Sequence, residues 1–166
     1  ELEDIAIYLS ENNSQVIIKI DDVELSIRLL EGPYPDYKKI MPESFSYTFE
    51  ITKGEFEQAL KVVNTFARGN LGNKVLFDFD IESGRVVLTS RVSDIGDGKT
   101  EVEVSNVDGE SDLNTAYTLR YLQDFVNHCK GEIIVFETKG PLAASVLKDK
   151  DDQNYTHLIM PMRRDN

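Results

Sequence analysis

The sequence predicts an α+β protein in which a β-α-β-β-β unit occurs twice, with two helices packed on one face of antiparallel sheets. Three observations carry this expectation. Two stretches place apolar residues at helical spacing: Phe56, Ala59, Leu60, Val63, Phe66 and Ala67 in the first, and Leu119, Leu122, Phe125, Val126 and Cys129 in the second. Each is preceded by one run of two-residue alternation and followed by three such runs. The residues expected to cap the helices, Thr52 and Thr118, stand 66 positions apart, so the same order of elements recurs.

In chain order, Ile5, Ile7 and Leu9 alternate, a turn follows at Glu11-Asn12-Asn13-Ser14, and Val16, Ile18 and Ile20 alternate again. Asp21-Asp22 then makes a two-residue turn into Val23, Leu25, Ile27 and Leu29. Three strands without a helix leave one face uncovered, so residues 1–32 read as the end of a preceding domain, and no initiating methionine opens them. Pro33, Pro35 and Pro42 hold residues 33–42 extended, as in an interdomain linker. The repeated unit occupies 43–166. Its first copy has a strand at Tyr47, Phe49 and Ile51, and a capping box at Thr52-Lys53-Gly54-Glu55. The helix ends at Gly69-Asn70, and strands follow at Val75 to Ile81, at Val86 and Leu88, and at Val102 and Val104. The second copy has a strand over Leu113 to Tyr117, a helix ending at Lys130-Gly131, and three strands: Ile133 and Val135; Leu142, Ala144 and Val146; Tyr155, His157 and Ile159.

Composition limits the function classes. No apolar run reaches the roughly 18 residues of a membrane-crossing helix, and the expectation is a cytoplasmic protein without membrane contact. One cysteine, Cys129, excludes an intramolecular disulfide, and with His128 and His157 it makes too few soft ligands for structural zinc, so no metal is expected. A net charge of −12 argues against nucleic-acid binding over the whole surface. Charge is uneven, however: Lys53, Lys61 and Arg68 outnumber Glu55 and Glu57 along the first helix, and Arg120 and Lys130 outnumber Asp124 along the second.

Catalytic motifs are not supported. Gly98-Lys99-Thr100 ends like a phosphate loop, but Ser93 stands where that loop needs glycine, and a strand follows rather than a helix. Asp149-Lys150-Asp151-Asp152 lacks the glycine and glutamate of a calcium loop and reads as a solvated hairpin tip. Asp78 and Asp80 alternate with Phe77 and Phe79 as a strand's solvent face, and His157 reads as an ordinary strand residue. His128 and Cys129 are helical neighbours that point apart. No nucleophile and base are brought together, and neither catalysis nor a cofactor is expected. On these residues alone, a non-enzymatic ligand-binding or protein-interaction domain without a DNA role remains open.

Two stretches add a resemblance. Arg28-Leu29-Leu30-Glu31-Gly32-Pro33-Tyr34-Pro35-Asp36-Tyr37-Lys38-Lys39-Ile40-Met41-Pro42 resembles the crossing from the second to the third domain of bacterial β sliding clamps. Leu158-Ile159-Met160-Pro161-Met162-Arg163 is similar to that family's last strand. The resemblance implies a non-catalytic processivity factor of the replicative DNA polymerase, a head-to-tail homodimeric ring around duplex DNA. Lys53, Lys61, Arg68, Arg120 and Lys130 would then face the DNA without reading its sequence. It also implies a pocket for short peptides of the polymerase, the clamp loader and repair proteins. Its third-domain wall would comprise Pro35, Lys39, Ile40, Ala144, Leu158, Met160, Pro161, Met162 and Arg163. The family's first domain and most of its second have no counterpart here. Arg164-Asp165-Asn166 stands where the family has an apolar last residue, which makes the pocket rim more polar.

Overall fold

A computed structural model describes residues 4–67, 71–92, 96–152 and 154–164, the side chain of residue 71 excepted. It divides into two compact units, Glu1–Tyr37 and Lys38–Asn166. In the first unit β1 (Ala6–Leu9), β2 (Gln15–Ile20) and β3 (Val23–Arg28) form an antiparallel meander. Asp21 opens the β2–β3 turn at φ +48°, a conformation that a short polar side chain tolerates. The register sets Ile7, Ile18 and Leu25 in one row and Leu9, Val16 and Ile27 in the next, so a single face is apolar. That face is largely exposed, with Ile7 at 68% and Val23 at 66%.

The second unit contains β4 (Tyr47–Thr52), α1 (Lys53–Ala67), β5 (Lys74–Asp80), β6 (Arg85–Val92), β7 (Gly96–Asp108) and β8 (Leu113–Thr118). It continues with α2 (Leu119–His128), β9 (Ile133–Thr138), β10 (Ser145–Asp149) and β11 (Thr156–Ile159). Its strands lie in the order β11-β10-β9-β4-β7-β6-β5-β8, each pair antiparallel. The two copies of the repeat exchange strands. β4, from the first copy, pairs with β9 of the second, while β8, from the second, pairs with β5 of the first. β7 joins the two half-sheets: its first part pairs with β6 and its last residues with β4, across a bulge at Asn106 (φ +49°).

The core lies between the half-sheets and beneath the helices. Phe49 stacks 4.6 Å from Phe79 and 4.7 Å from Phe136, and Phe77 packs on Phe136 at 5.3 Å and on Tyr117 at 5.7 Å. These five rings come from four strands of both copies, so burial of either half requires the other. The Tyr117 and Ser145 hydroxyls lie 2.7 Å apart and link β8 to β10, and burial raises the Tyr117 phenol to about 12.

Several sequence expectations shift. β10 begins at Ser145 rather than Leu142, because the 140–143 segment turns, with the Ala143 amide donating to the Gly140 carbonyl, and leaves Leu142 66% exposed. In β9 the buried residues are Ile134 and Phe136, not Ile133 and Val135; an unbroken apolar run carries no alternation from which the inner face could be read. The expected stop of the first helix, Gly69-Asn70, and part of the 94–100 turn lie outside the described residues, while Gly98 to Thr100 are strand. Thr118 occupies the N-cap of α2 in extended conformation, but its hydroxyl makes no cap bond.

Asp149 departs furthest from expectation. It is buried, and its carboxylate accepts the amides of Lys130 (2.8 Å), Gly131 (2.7 Å) and Asp151 (3.0 Å). The Lys53 ammonium donates to the carbonyl of Cys129, the residue that ends α2. Two charged side chains thus satisfy the backbone groups left over where α2 stops, and tie that end to β10 and to the start of α1. The bonds from Gly131, Asp151 and Lys130 hold the Asp149 carboxyl down at about 2. His157 is also more enclosed than an ordinary strand position: its ring lies 5.6 Å from Phe125, its Nε2 is buried without a partner, and burial lowers its pKa. Asp149→Ala should cost about 1.5–3 kcal/mol, since it orphans buried amides. Because the folded-state pKa is depressed, the Asp149 contribution is complete above the unfolded-state value near 4 and fades as pH falls toward 2. Urea melts of both proteins at pH 7 and pH 2.5 should therefore differ most at the first, with the gap narrowed but not closed at the second.

Candidate functional site

The tail after β11 is the most unusual backbone in the second unit. β11 pairs with β10 through Ile159, and the ladder ends there. Two residues on, Pro161 has no N–H to continue it. The chain then runs beside β8, where the Met162 amide donates to the Ala116 carbonyl at 2.7 Å. Strand β8 therefore has β5 on one side and the tail on the other, and the tail bridges the two ends of the eight-stranded sheet.

Side chains fix this crossing. The Thr118 hydroxyl donates to Met162 Sδ at 3.3 Å, which explains its absence from the α2 cap. The Met162 methyl rests on Gly72, where a Cβ would lie 2.9 Å from it; Gly72 (φ +78°) sits in the 3₁₀ turn Leu71–Asn73. Arg164 pairs with Asp78 of β5 through both guanidinium nitrogens, and Nη1 also reaches Asn114 Oδ1 of β8 at 3.5 Å. Asp78 and Asn114 are direct partners in the β5–β8 ladder, so one guanidinium spans a cross-strand pair.

The residues expected around a peptide pocket separate into groups. Met160 is 59% exposed and Arg163 is exposed, whereas Leu158, Pro161 and Met162 are half-buried. Ala144, half-buried, precedes Ser145, the partner of Ile159, and so lies at the same end of β10 and β11 as the tail. Lys39 ends the 3₁₀ turn Tyr37–Lys39 and Ile40 follows it, 54% exposed; both belong to the segment before β4. Pro35 belongs to the first unit, where its carbonyl accepts the Tyr37 amide. Sequence reasoning missed Gly72, Asp78, Asn114 and Thr118. Only the alternation of Asp78 with buried phenylalanines marked it, and that pattern is shared by any solvent-facing strand residue.

α1 and α2 pack together, with a shallow cleft between them lined by Glu57, Leu60, Lys61, Gln123, Asp124 and Val126. Within α1 as described Lys53 and Lys61 are matched by Glu55 and Glu57, and within α2 Arg120 by Asp124; Arg68 and Lys130, which carry the expected excess, stand beyond these ranges. Lys61 pairs with Glu57 at 2.6 Å and Arg120 with Asp124 at 3.8 Å, each one turn apart, and the Lys61 bond lowers the Glu57 pKa. Lys53 is half-buried against Cys129, Lys130 is exposed beyond α2, and Arg68 lies outside the described residues. Beside α1, residues 96–103 of β7 pair with β6 on one side and with no strand on the other among the described residues. The groove along that open edge is lined by Gln58, Ala59, Val62, Thr100 and Val102, with Val62 48% exposed.

Comparison with known proteins identifies the arrangement. The family model for the DNA polymerase III beta subunit, C-terminal domain, matches residues 38–163. The beta sliding clamp of Staphylococcus aureus is 34% identical over 97% of this chain, and the match spans 41% of that relative's length. Among solved structures, the DNA polymerase III beta subunit of Thermotoga maritima is 27% identical with a TM-score of 0.76, over 97% of this chain and 42% of that one. The sliding clamp of Bacillus subtilis, at 24% identity and a TM-score of 0.76 over 96% of this chain and 41% of that one, shares the fold. An α+β unit with duplicated, strand-exchanged halves and a proline-broken closing tail, matched over most of the chain, belongs to the DNA polymerase III beta subunit family, in its C-terminal domain.

Proposed function

We propose that this chain supplies part of a DNA sliding clamp, a non-catalytic processivity factor acting in the cytoplasm. In this reading residues 1–32 are the last three strands of a middle domain, 33–42 the linker, and 43–166 the third domain. The parent is a head-to-tail homodimeric ring around duplex DNA. The observation that carries the reading is the open edge of β7 beside α1, because an open strand edge is what one subunit needs to extend its sheet into the next; exposed Val62 stands along it among Glu55, Gln58, Glu101 and Glu103. The exposed apolar face of β1–β3 supports it further, since strands uncovered in this way belong against additional structure. A ligand-binding domain without a DNA role has no comparable observation in its favour.

The helix layer would line the hole. Lys61 and Arg120 are exposed and held only by surface pairs, which contribute little and are readily exchanged for phosphate contacts. In the intact parent ring, replacing Lys61, Arg68 and Arg120 with Gln should shorten retention on nicked circular DNA about three- to tenfold. It should also flatten the salt dependence, by roughly 0.9 in log–log slope per lost phosphate contact. Unchanged retention would show that these helices do not face DNA.

Peptides of the polymerase and clamp loader would dock along the tail, with Leu158, Met160, Pro161 and Arg163 on one side and Lys39, Ile40 and Ala144 completing the third-domain wall. Exposed Met160 is the adaptable surface, whereas Met162 is held by Thr118 and Gly72. Fluorescence anisotropy with a labelled peptide copied from a clamp-binding segment of the replicative polymerase should show affinity about three- to tenfold lower for Met160→Ala or Ile40→Ala, with stability unchanged. Met162→Ala should instead lose about 1–2 kcal/mol in urea melts, less than a fully buried Met→Ala. Equal affinity in the first two variants would remove the pocket.

A further inference from the structure

We propose that Asp78, Asn114 and Arg164 form a clasp that positions the closing tail and thereby sets how the Met160 surface is presented to a docking peptide. The docking part of this inference rests on the function proposed above; the clasp itself does not.

The argument begins with what else could hold the tail. Residues 160–164 are joined to β8 by one backbone bond, from Met162 to Ala116. Consecutive amides of an extended chain point to opposite sides, so the bonds that would flank Met162 in a ladder belong to residues 160 and 164, and among the described residues neither amide donates to β8. A single bond at a sheet edge opens easily. The Met162 side chain gives one further anchor, a weak one, because a thioether is a poor acceptor.

Arg164 supplies the remaining anchor and lies beyond the proline on the side away from β11. Its fork engages both oxygens of Asp78, a geometry that fixes direction as well as distance. The contact to Asn114 places the guanidinium over the β5–β8 pair and not over β5 alone, so the tail is indexed to the register of the two strands. Each charged side chain retains 32% exposure, so the pair is partly desolvated yet open to salt. Met160 and Arg164 stand on opposite sides of the Met162 anchor. Releasing Arg164 leaves the single Met162 bond as the end of the tethered segment, so that bond opens more often, and while it is open the Met160–Pro161 link is held at Ile159 alone.

The test uses amide hydrogen exchange and peptide binding on the same proteins. In Asp78→Asn and Arg164→Gln, both near in shape to the original residues, the Met162 amide should exchange about three- to tenfold faster, while the amides of Phe136 and Leu147 keep their rates. The charge-reversed pair D78R/R164D should restore Met162 protection to within about twofold. Raising salt from 50 mM to 1 M should speed Met162 exchange in the wild-type chain and not in the single variants. Affinity for the polymerase-derived peptide should fall about two- to fivefold in the single variants and recover in the reversed pair. Unchanged Met162 exchange would overturn the clasp. Faster exchange with unchanged affinity would overturn its positioning role and leave docking intact. A wild-type chain that binds no peptide would overturn docking and the positioning role together, while the exchange rates would still decide whether the clasp exists.

Discussion

The structure depends on the exchange of first strands between the two halves of the repeat. β4 finds its ladder partner in β9, and β8 finds its partner in β5. Backbone donors and acceptors in a buried strand must be paired, so neither half can satisfy its own hydrogen bonds or cover its own phenylalanines alone. Phe49 shows this directly, since it stacks on Phe79 from its own half and on Phe136 from the other. The cost is entropic: pairing Tyr47 with Thr138 closes a loop of most of the unit before any reward is gained.

The exchange leaves two places where the half-sheets must meet, and the chain resolves them differently. At one, β7 runs thirteen residues and changes partners between Glu103 and Val104, giving a ladder that passes from β6 to β4 and bulges further on at Asn106. At the other, β11 is four residues long, and a proline separates it from the tail that reaches β8. The second junction has a single backbone bond, from Met162 to Ala116, and is otherwise held by a thioether, a glycine that makes room for its methyl, and an arginine on a cross-strand pair. Side chains can be displaced individually, whereas a ladder opens cooperatively. The weaker junction is also where Met160 stands exposed.

The helices occupy the remaining face, and their end is governed by charge as much as by packing. Lys53 and Asp149 attend to the backbone groups where α2 stops, one on the last carbonyl and one on the amides that follow. This fixes α2 to α1 and to β10 at the same point. The outward helix surface carries exposed ion pairs one turn apart, Lys61 with Glu57 and Arg120 with Asp124, which salt screens readily.

By itself the sequence determined the element order, the repeat, the helix stripes and the three-strand meander, because each is a local periodicity that burial on one face imposes. The proline within Leu158 to Arg163 likewise marked a broken closing strand, since a missing N–H is a property of the residue. Only the tertiary structure decided which strands pair. Alternation says that a strand has an inner face and says nothing of its neighbour, so the exchange between halves was invisible. The same holds for Asp149, Asp78 and Arg164: a charged residue next to a turn or on a strand's outer face reads as solvated until the fold brings its partner from 18 to 86 positions away. Met160 and Met162 make the contrast plainest. They are two residues apart and chemically identical, yet one is exposed and the other is held by Thr118 and Gly72, because the chain has left β11 at Met160 and reaches β8 at Met162.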